Sequence, residues 1–209
     1  MQAGQPYWDH IFAEPQDSKP DYDDWLLKHK GLLEASREIP ILDLGCGAGG
    51  DTLCLTELGY RVIACDFSDV ALSRVKMHIP SAEVRKVNLA ELLPFEKNSA
   101  QVIVADLSLH YFSWEKTEAI FNELQRVLVP GGHLLCRVNS IQDVHFGAGE
   151  GSEIEPRFYE QNGQFKRFFN RDDLIRLLSN WQLEFIQEAT MNRYHKPKKL
   201  WEFAAAKPK

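Results

Sequence analysis

The hydrophobic residues of this chain alternate between short apolar runs and longer stretches with helical spacing. Seven segments with the length of strands follow in order, most of them apolar: 41–44, 61–65, 82–87, 101–105, 132–138, 182–189 and 200–206. The intervening stretches repeat apolar residues every three or four positions, as expected for helices that pack on one side. This alternation predicts a doubly wound α/β fold built on a mostly parallel, seven-stranded sheet.

The last two apolar runs are connected by 192–199, which is too short for a crossover helix. They are therefore predicted to form an antiparallel hairpin, with the last strand antiparallel in the sheet. Helices are predicted over 21–36, 68–77 and 113–128, and another begins after Asn170. The 209 residues are interpreted as one domain, with four parts: a cap segment and helix (1–37), a cofactor-binding core (38–139), an insertion (140–169) and a C-terminal helix and hairpin (170–209).

The insertion 140–169 interrupts the regular pattern, because glycines are interspersed there with charged residues. A connection of this length in a compact domain is usually functional or disordered. It leaves the carboxyl end of the fifth predicted strand, where ligands bind in open α/β sheets. We therefore expect it to lie over a ligand cleft as a lid that defines the substrate.

Composition narrows the choice of function. The formal net charge of −6 argues against broad binding to nucleic acid, although the basic run 193–199 leaves a local patch open. No apolar run is long enough to span a bilayer and the N-terminus does not resemble a signal peptide, so a cytoplasmic protein is expected. The four cysteines form no C-x-x-C pair and have no histidine at ligand spacing, so no metal site is predicted.

The first apolar run leads directly into a glycine-rich turn and then into a predicted helix. Glycines in the turn allow the backbone to approach a ligand closely, and the start of a helix presents unpaired N–H groups to it. The spacing Gly45-x-Gly47-x-x-Gly50 also fits a dinucleotide-binding turn, so the glycines alone do not identify the ligand.

Asp43, two residues before the first glycine, is more informative. A carboxylate in an apolar strand is costly unless it meets positive charge or hydrogen-bond donors. It would repel a pyrophosphate and attract an ammonium group. The alternative is that Asp43 only caps N–H groups of the loop.

The sequence Asp-Leu-Gly-Cys-Gly-Ala-Gly at 43–49 resembles the first motif of class I S-adenosylmethionine-dependent methyltransferases. The resemblance extends over about 39–139, with Asp66 as a second match and the Pro-Gly-Gly turn ending at Gly132 as a third. It implies a Rossmann-like methyltransferase fold, in which an antiparallel last strand is typical, and S-adenosylmethionine as cofactor. In this family a segment similar to residues 7–12 often folds over the cofactor cleft; an apolar clip on the outside of the domain is the alternative.

The cofactor-binding residues follow from these matches. In the resembled family the turn carries the amino-acid end of the cofactor, and an acid about twenty residues later takes the ribose hydroxyls. Asp66 lies at that position in the sequence. It is not needed to cap the next helix, because Ser68 or Asp69 can do so. Asn88 stands where the family often has an Asp that meets adenine. The predicted cofactor-binding set is Asp43, Gly45, Cys46, Gly47, Asp66, Phe67, Asn88, Leu89 and Asp106.

The segment after the fourth predicted strand indicates which class of molecule accepts the methyl group. It lacks the Asn/Asp-Pro-Pro-Tyr/Phe motif of enzymes that methylate DNA bases or protein amides, and it contains no cysteine for covalent pyrimidine chemistry. His110 and Tyr111 are the predicted substrate-pocket residues. His110 is a candidate general base or a polar wall of the pocket, so no catalytic residue is assigned.

These observations predict an S-adenosylmethionine-dependent methyltransferase that acts on a small molecule and releases S-adenosylhomocysteine. Tellurite-resistance and thiopurine methyltransferases are loosely similar in their single compact domain. Two alternatives stay open. One is an NAD-binding oxidoreductase, and the other is an S-adenosylmethionine-binding module without transferase activity.

Overall fold

The computed structural model describes residues 4–13 and 19–209. Ten strands lie in this part of the chain: β1 (Ile41–Leu44), β2 (Val62–Asp66), β3 (Glu83–Lys86), β4 (Ala100–Asp106), β5 (Leu128–Asn139), β6 (Ser152–Glu155), β7 (Phe158–Gln161), β8 (Gln164–Arg167), β9 (Gln182–Met191) and β10 (Lys198–Ala206). The α-helices there are α1 (Gln5–Ala13), α2 (Lys30–Leu33), α3 (Gly50–Glu57), α4 (Asp69–His78), α5 (Trp114–Val127) and α6 (Arg171–Leu177).

Seven of the strands form one sheet, in the order β3-β2-β1-β4-β5-β10-β9. The strands from β3 to β5 are parallel, and β10 is antiparallel to both β5 and β9. The predicted fold class and the antiparallel last strand are thereby confirmed. The strand order reverses between β1 and β4, so the carboxyl ends of these two strands border the crevice in which ligands of open α/β sheets bind.

Both faces of the sheet are covered, which explains why the central strands are mostly apolar. On one face, Trp25 and Leu26 pack against β1, β2 and β4 together with Leu55 of α3. On the other face, α5 and α6 pack against the sheet, with Phe121 and Leu174 in the buried cluster. The ends of β1, β2 and β4 are therefore held at fixed positions relative to each other.

The predicted continuous helix over 21–36 is wrong. The segment consists of a 3₁₀ turn (Trp25–His29), the single turn α2, and a second 3₁₀ turn (Glu34–Ser36). Gly31 lies in the middle of this segment and weakens a regular helix there. The tighter turns bury Trp25, Leu26, His29 and Leu33 on the sheet.

The insertion 140–169 is not an irregular loop. It contains a 3₁₀ turn (Val144–Phe146) and a separate antiparallel sheet in the order β6-β7-β8. Asn162 and Gly163 connect β7 to β8, and both have positive φ, 54° and 77°. An Asn-Gly pair with this geometry is characteristic of a two-residue hairpin turn, so the sequence did contain a signal for this hairpin.

In the described ranges, 4–13 and 19–209, no helix has the length and hydropathy needed to cross a membrane. The same ranges contain no group of three or more His, Cys, Asp or Glu side chains arranged to hold a metal ion.

Candidate functional site

The glycine turn lies between the end of β1 and the start of α3. Its first two amides, of Gly45 and Cys46, both donate to the carbonyl oxygen of Cys65 at 2.7 and 2.9 Å. Gly45 and Gly47 have positive φ, 75° and 52°. A Cβ at Gly45 would stand 2.3 Å from Cβ of Ser108, which follows β4. The turn is therefore closed tightly against the neighbouring strand ends, and only glycine fits at its start.

Asp43 is buried at the end of β1, with 1% of its surface exposed. Its Oδ2 accepts a 2.5 Å hydrogen bond from the hydroxyl of Thr52 in α3. Burial, together with the nearby carboxylates of Asp106 and Asp66, raises the pKa of Asp43 to about 7 despite that bond. This bond comes from a side-chain hydroxyl of α3 and not from the loop N–H groups of the capping alternative, and it does not compensate the charge.

Asp66 connects the end of β2 to the glycine turn. Its Oδ2 accepts from the amide of Gly47, and its Oδ1 accepts from the amide of Ser68, both at 2.9 Å. Burial raises the pKa of Asp66 even so. The cap of α4 is Ser68, whose hydroxyl oxygen accepts from the amide of Ala71. The prediction that Ser68 can serve as the cap is confirmed, and each oxygen of Asp66 retains a lone pair for a further donor.

Asp106, at the end of β4, accepts hydrogen bonds from two arginines. Arg137 of β5 donates through Nε and Nη2 to its two oxygens, both at 2.7 Å, and Arg193 donates through Nη1 at 3.0 Å. Burial by itself would raise the pKa of Asp106, but these guanidinium groups hold it below its usual value. The carboxylate therefore faces protein cations, and its predicted contact with a cofactor stays a prediction.

Sequence reasoning missed the ion-pair cluster around Arg137. Arg137 also donates to Asp23 at 2.8 Å and lies 4.5 Å above the ring of Trp25. The indole N–H of Trp25 in turn donates to Asp51 at 2.9 Å. One charged residue within the otherwise apolar strand at 134–138 was the available signal, because a buried guanidinium requires carboxylate partners.

The other predicted cofactor residues lie at the same edge of the sheet. Phe67 is half-buried directly after β2, and Leu89 packs against the core after β3. Asn88 accepts from the amide of Ala90 at 3.0 Å and donates to Glu91 at 2.8 Å. Asn88 therefore orders its own loop, and its predicted contact with adenine stays a prediction.

His110 is buried, and its Nδ1 has no hydrogen-bond partner among the described residues. Burial, reinforced by the positive charges of Lys198 and Lys166, holds the pKa of His110 well below its usual value. The ring is therefore neutral at physiological pH and lies 4.3 Å from that of Tyr111. Burial raises the pKa of Tyr111, so its phenol keeps its proton.

Helix α1 lies across the glycine turn. A Cβ at Gly47 would meet the ring of Phe12 at 3.1 Å, and Trp8 contacts Tyr111 edge to face at 4.8 Å. Asp9 accepts from the hydroxyl of Ser68 at 2.6 Å. Of the two expectations for residues 7–12, the position over the cleft is therefore the one observed.

Two cavities of the described part of the chain differ in their lining. The larger, of about 370 Å³, is bordered by the segment 21–25 and by Arg137, Met191 and Arg193. The smaller, of about 200 Å³, is bordered by Tyr159, Lys166 and Phe168 in the insertion. Neither is lined by residues of the glycine turn, which α1 covers.

Residues 42–136 match the model of a family described as a methyltransferase domain. Those residues comprise the glycine turn, the ends of β1, β2 and β4, and most of β5. Residues 42–136 form a class I S-adenosylmethionine-dependent methyltransferase domain. For this domain the predictions of an enzyme and of S-adenosylmethionine as its cofactor are confirmed.

Related proteins carry the same domain. The chain is 27% identical to tRNA N(3)-cytidine methyltransferase METTL2 of Gallus gallus over 192 residues, which cover 86% of this chain and 50% of that protein. The chain spans about half the length of the curated relatives that it matches.

Solved structures share the fold of this methyltransferase domain. A SAM-dependent methyltransferase of Methanosarcina mazei superimposes with a TM-score of 0.74 at 20% identity, over 88% of this chain and 98% of that one. A 1,6-didemethyltoxoflavin-N1-methyltransferase of Burkholderia thailandensis, solved with S-adenosylhomocysteine bound, superimposes with a TM-score of 0.64 at 19% identity, over 90% of this chain and 80% of that one. At these identities the similarity shows the fold.

Proposed function

We propose that this protein transfers a methyl group from S-adenosylmethionine to a small-molecule acceptor. The observation that carries the proposal is the buried carboxylate of Asp43, which lies beside the glycine turn with no cation bonded to it among the described residues. Burial holds its pKa near 7, so a cationic ligand that stabilises the ionised form gains binding free energy. A dinucleotide pyrophosphate would lose free energy at the same place.

The residues at the turn fit the cofactor. Asp43 is placed for the cationic amino-acid end, and the free lone pairs of Asp66 suit two ribose hydroxyls. Phe12 and Trp8 of α1 cover the turn, which excludes water from the site. Phe67, Asn88 and Leu89 lie at the same edge of the sheet, where the adenine of the cofactor is expected.

When bound, the cofactor supplies an electrophilic methyl group for direct displacement. The protein then has to align the nucleophile and keep water away. His110, neutral and buried with an unpartnered Nδ1, is available for a hydrogen bond to the acceptor, whereas its lowered pKa makes it a weak general base. A thiol or metalloid acceptor would need no general base, so we propose His110 only as a residue of the substrate pocket.

Titration calorimetry with S-adenosylhomocysteine and with NAD tests the cofactor. We expect binding of S-adenosylhomocysteine and none of NAD; the reverse result would favour the oxidoreductase alternative. Labelled S-adenosylmethionine is then incubated with thiol, amine, phenol and metalloid acceptors. Cofactor binding without transfer to any acceptor class would favour a binding module.

Transfer to tRNA is the second candidate function. It is supported by the identity to METTL2, a tRNA methyltransferase, over 86% of this chain. The net charge of −6 speaks against it, and two of the basic residues in 193–199 are internally paired, Arg193 with Asp106 and Lys198 with Asp143. Incubation of the protein with unmodified tRNA transcripts and labelled cofactor separates the two candidates, since incorporation into tRNA at a rate above that of any small acceptor would favour tRNA.

A further inference from the structure

Of the three guanidinium nitrogens of Arg193, one has a hydrogen-bond partner among the described residues. Its Nη1 donates to Asp106, whereas Nε and Nη2, both buried, have no hydrogen-bond partner among the described residues. Nε and Nη2 form the edge by which Arg137 and Arg157 each hold both oxygens of a carboxylate. A buried edge of this kind without its partner costs free energy, because the donors have lost water and gained nothing.

Asp23 lies next to this edge and forms an ion pair with it, but no hydrogen bond. Its Oδ2 is 3.4 Å from Nη2 of Arg193, outside hydrogen-bond geometry, and accepts from Arg137 at 2.8 Å. Its Oδ1 has no partner in the described part of the chain. Asp23 belongs to an irregular segment before the first 3₁₀ turn and its side chain is 26% exposed. Asp23 therefore pairs with both arginines through one oxygen but makes a bidentate contact with neither.

The cavity of about 370 Å³ opens at the same place, between Arg137 and Arg193, with Trp25 and Met191 in its apolar wall. Lys28 and Glu202, which also line it, pair with each other. Without Asp23, the two guanidinium groups are hydrogen-bonded to one carboxylate, that of Asp106, among the described residues. Asp21 and Asp24 also line the cavity but are exposed, so the excess of positive charge is local to the two guanidinium groups, where it favours an anion.

We infer that this cavity binds the methyl acceptor through a carboxylate, which displaces Asp23 and pairs bidentately with the Nε–Nη2 edge of Arg193. The inference rests on the proposed function and names its substrate class, a small molecule that carries a carboxylate. Planar, bidentate pairing of this type is the strongest contact a guanidinium makes with a carboxylate. No residue of the glycine turn lines this cavity, although Asp21 at its border lies close to Gly50, and on that lining we assign it to the acceptor and not to the cofactor.

Binding of benzoate to the protein loaded with S-adenosylhomocysteine tests the inference, with uncharged benzamide as the matched probe. We expect benzoate to bind more tightly than benzamide. Arg193→Gln should weaken benzoate binding at least about tenfold, and Arg193→Lys, which retains the charge without the fork, should weaken it less. Asp23→Asn should tighten it about threefold or more, because the competing carboxylate is gone. Arg171→Gln and Asp172→Asn, at exposed positions of α6, control for charge.

Opposite effects of the Arg193 and Asp23 substitutions distinguish a binding site from a structural ion pair, which would be weakened by both. Equal binding of benzoate and benzamide would overturn the inference, as would an Arg193→Gln protein that binds benzoate like Arg171→Gln. If Arg193→Gln weakens S-adenosylhomocysteine but not 5′-methylthioadenosine, which lacks the amino-acid end, the carboxylate belongs to the cofactor and the acceptor assignment is wrong. Failure of the wild type to bind S-adenosylhomocysteine would instead overturn the proposed function.

Discussion

The hydroxyl of Thr52, in the first turn of α3, donates a 2.5 Å hydrogen bond to the buried carboxylate of Asp43 at the end of β1. This bond connects the strand before the glycine turn to the helix after it. It stabilises the ionised carboxylate, yet burial outweighs it and raises the pKa of Asp43 to about 7. The site therefore retains an uncompensated carboxylate where the cofactor would bring positive charge.

The first prediction concerns Asp43 and pH. The pKa of Asp43 is higher in the folded protein than in the unfolded chain, so its contribution to stability is present at low pH and is lost as pH rises through about 7. We expect the free energy of unfolding of the wild type to fall by about 2–3 kcal/mol between pH 5 and pH 8 from this group. Asp43→Asn should remove that dependence in urea unfolding.

The same substitution should act in the opposite direction on binding. Without the carboxylate, affinity for S-adenosylhomocysteine at pH 8 should fall at least about tenfold. Asp172→Asn, at an exposed position, is the control for both measurements. If Asp43→Asn lowered stability at pH 8 and left affinity unchanged, Asp43 would be a structural residue only.

The second prediction concerns the start of the glycine turn. Gly45→Ala places a Cβ 2.3 Å from Cβ of Ser108 at a φ of 75°, so backbone or β4 must shift. We expect a loss of about 2–4 kcal/mol in the free energy of unfolding and loss of cofactor binding. Gly31→Ala is the matched control, because nothing lies within 4 Å of its added Cβ in α2. That protein should be unchanged or up to about 1 kcal/mol more stable; equal stability of both variants would contradict the geometry of the turn.

The third prediction concerns Asp66. Asp66→Asn presents an amide group to one of the two backbone N–H groups that the carboxylate now accepts, from Gly47 or Ser68. Two donors then face each other, and we expect a destabilisation of about 1–2 kcal/mol. Calorimetry should show at least about tenfold weaker binding of S-adenosylhomocysteine, because one acceptor for the ribose is lost as well. Asp69→Asn, whose side chain is exposed, should retain wild-type affinity.

The fourth prediction concerns a buried ion pair that fixes the insertion to the C-terminal hairpin. Lys198 donates to Asp143 at 2.6 Å, and both side chains are less than a tenth exposed. Asp143→Asn leaves the Lys198 ammonium without a counter-charge and should cost about 3–5 kcal/mol in urea unfolding. The double variant Asp143→Leu, Lys198→Met should recover most of that loss. Lys86→Ala, which breaks an exposed pair with Asp69, should change stability by about 0.5 kcal/mol or less.

The sequence by itself determined the sheet, the glycine turn and the ends of β1 and β2 at which Asp43 and Asp66 lie. These features depend on local properties: apolar runs that must be buried, glycines that allow positive φ, and connections too short for a helix. The two segments that were predicted wrongly differ in whether a local signal was present. The three-stranded insertion carried a readable signal in Asn162-Gly163, whereas the broken helix at 21–36 depends on how Trp25 and Leu26 pack on the sheet.

Only the tertiary structure decided the ion-pair cluster at the edge of β4 and β5. Asp23, Asp106, Arg137 and Arg193 are distant in sequence and meet because β5 pairs with β4 and the hairpin after β9 folds back over both. Which donors and acceptors remain unpaired there depends on distances of a few tenths of an ångström, and no local pattern in the sequence encodes those distances.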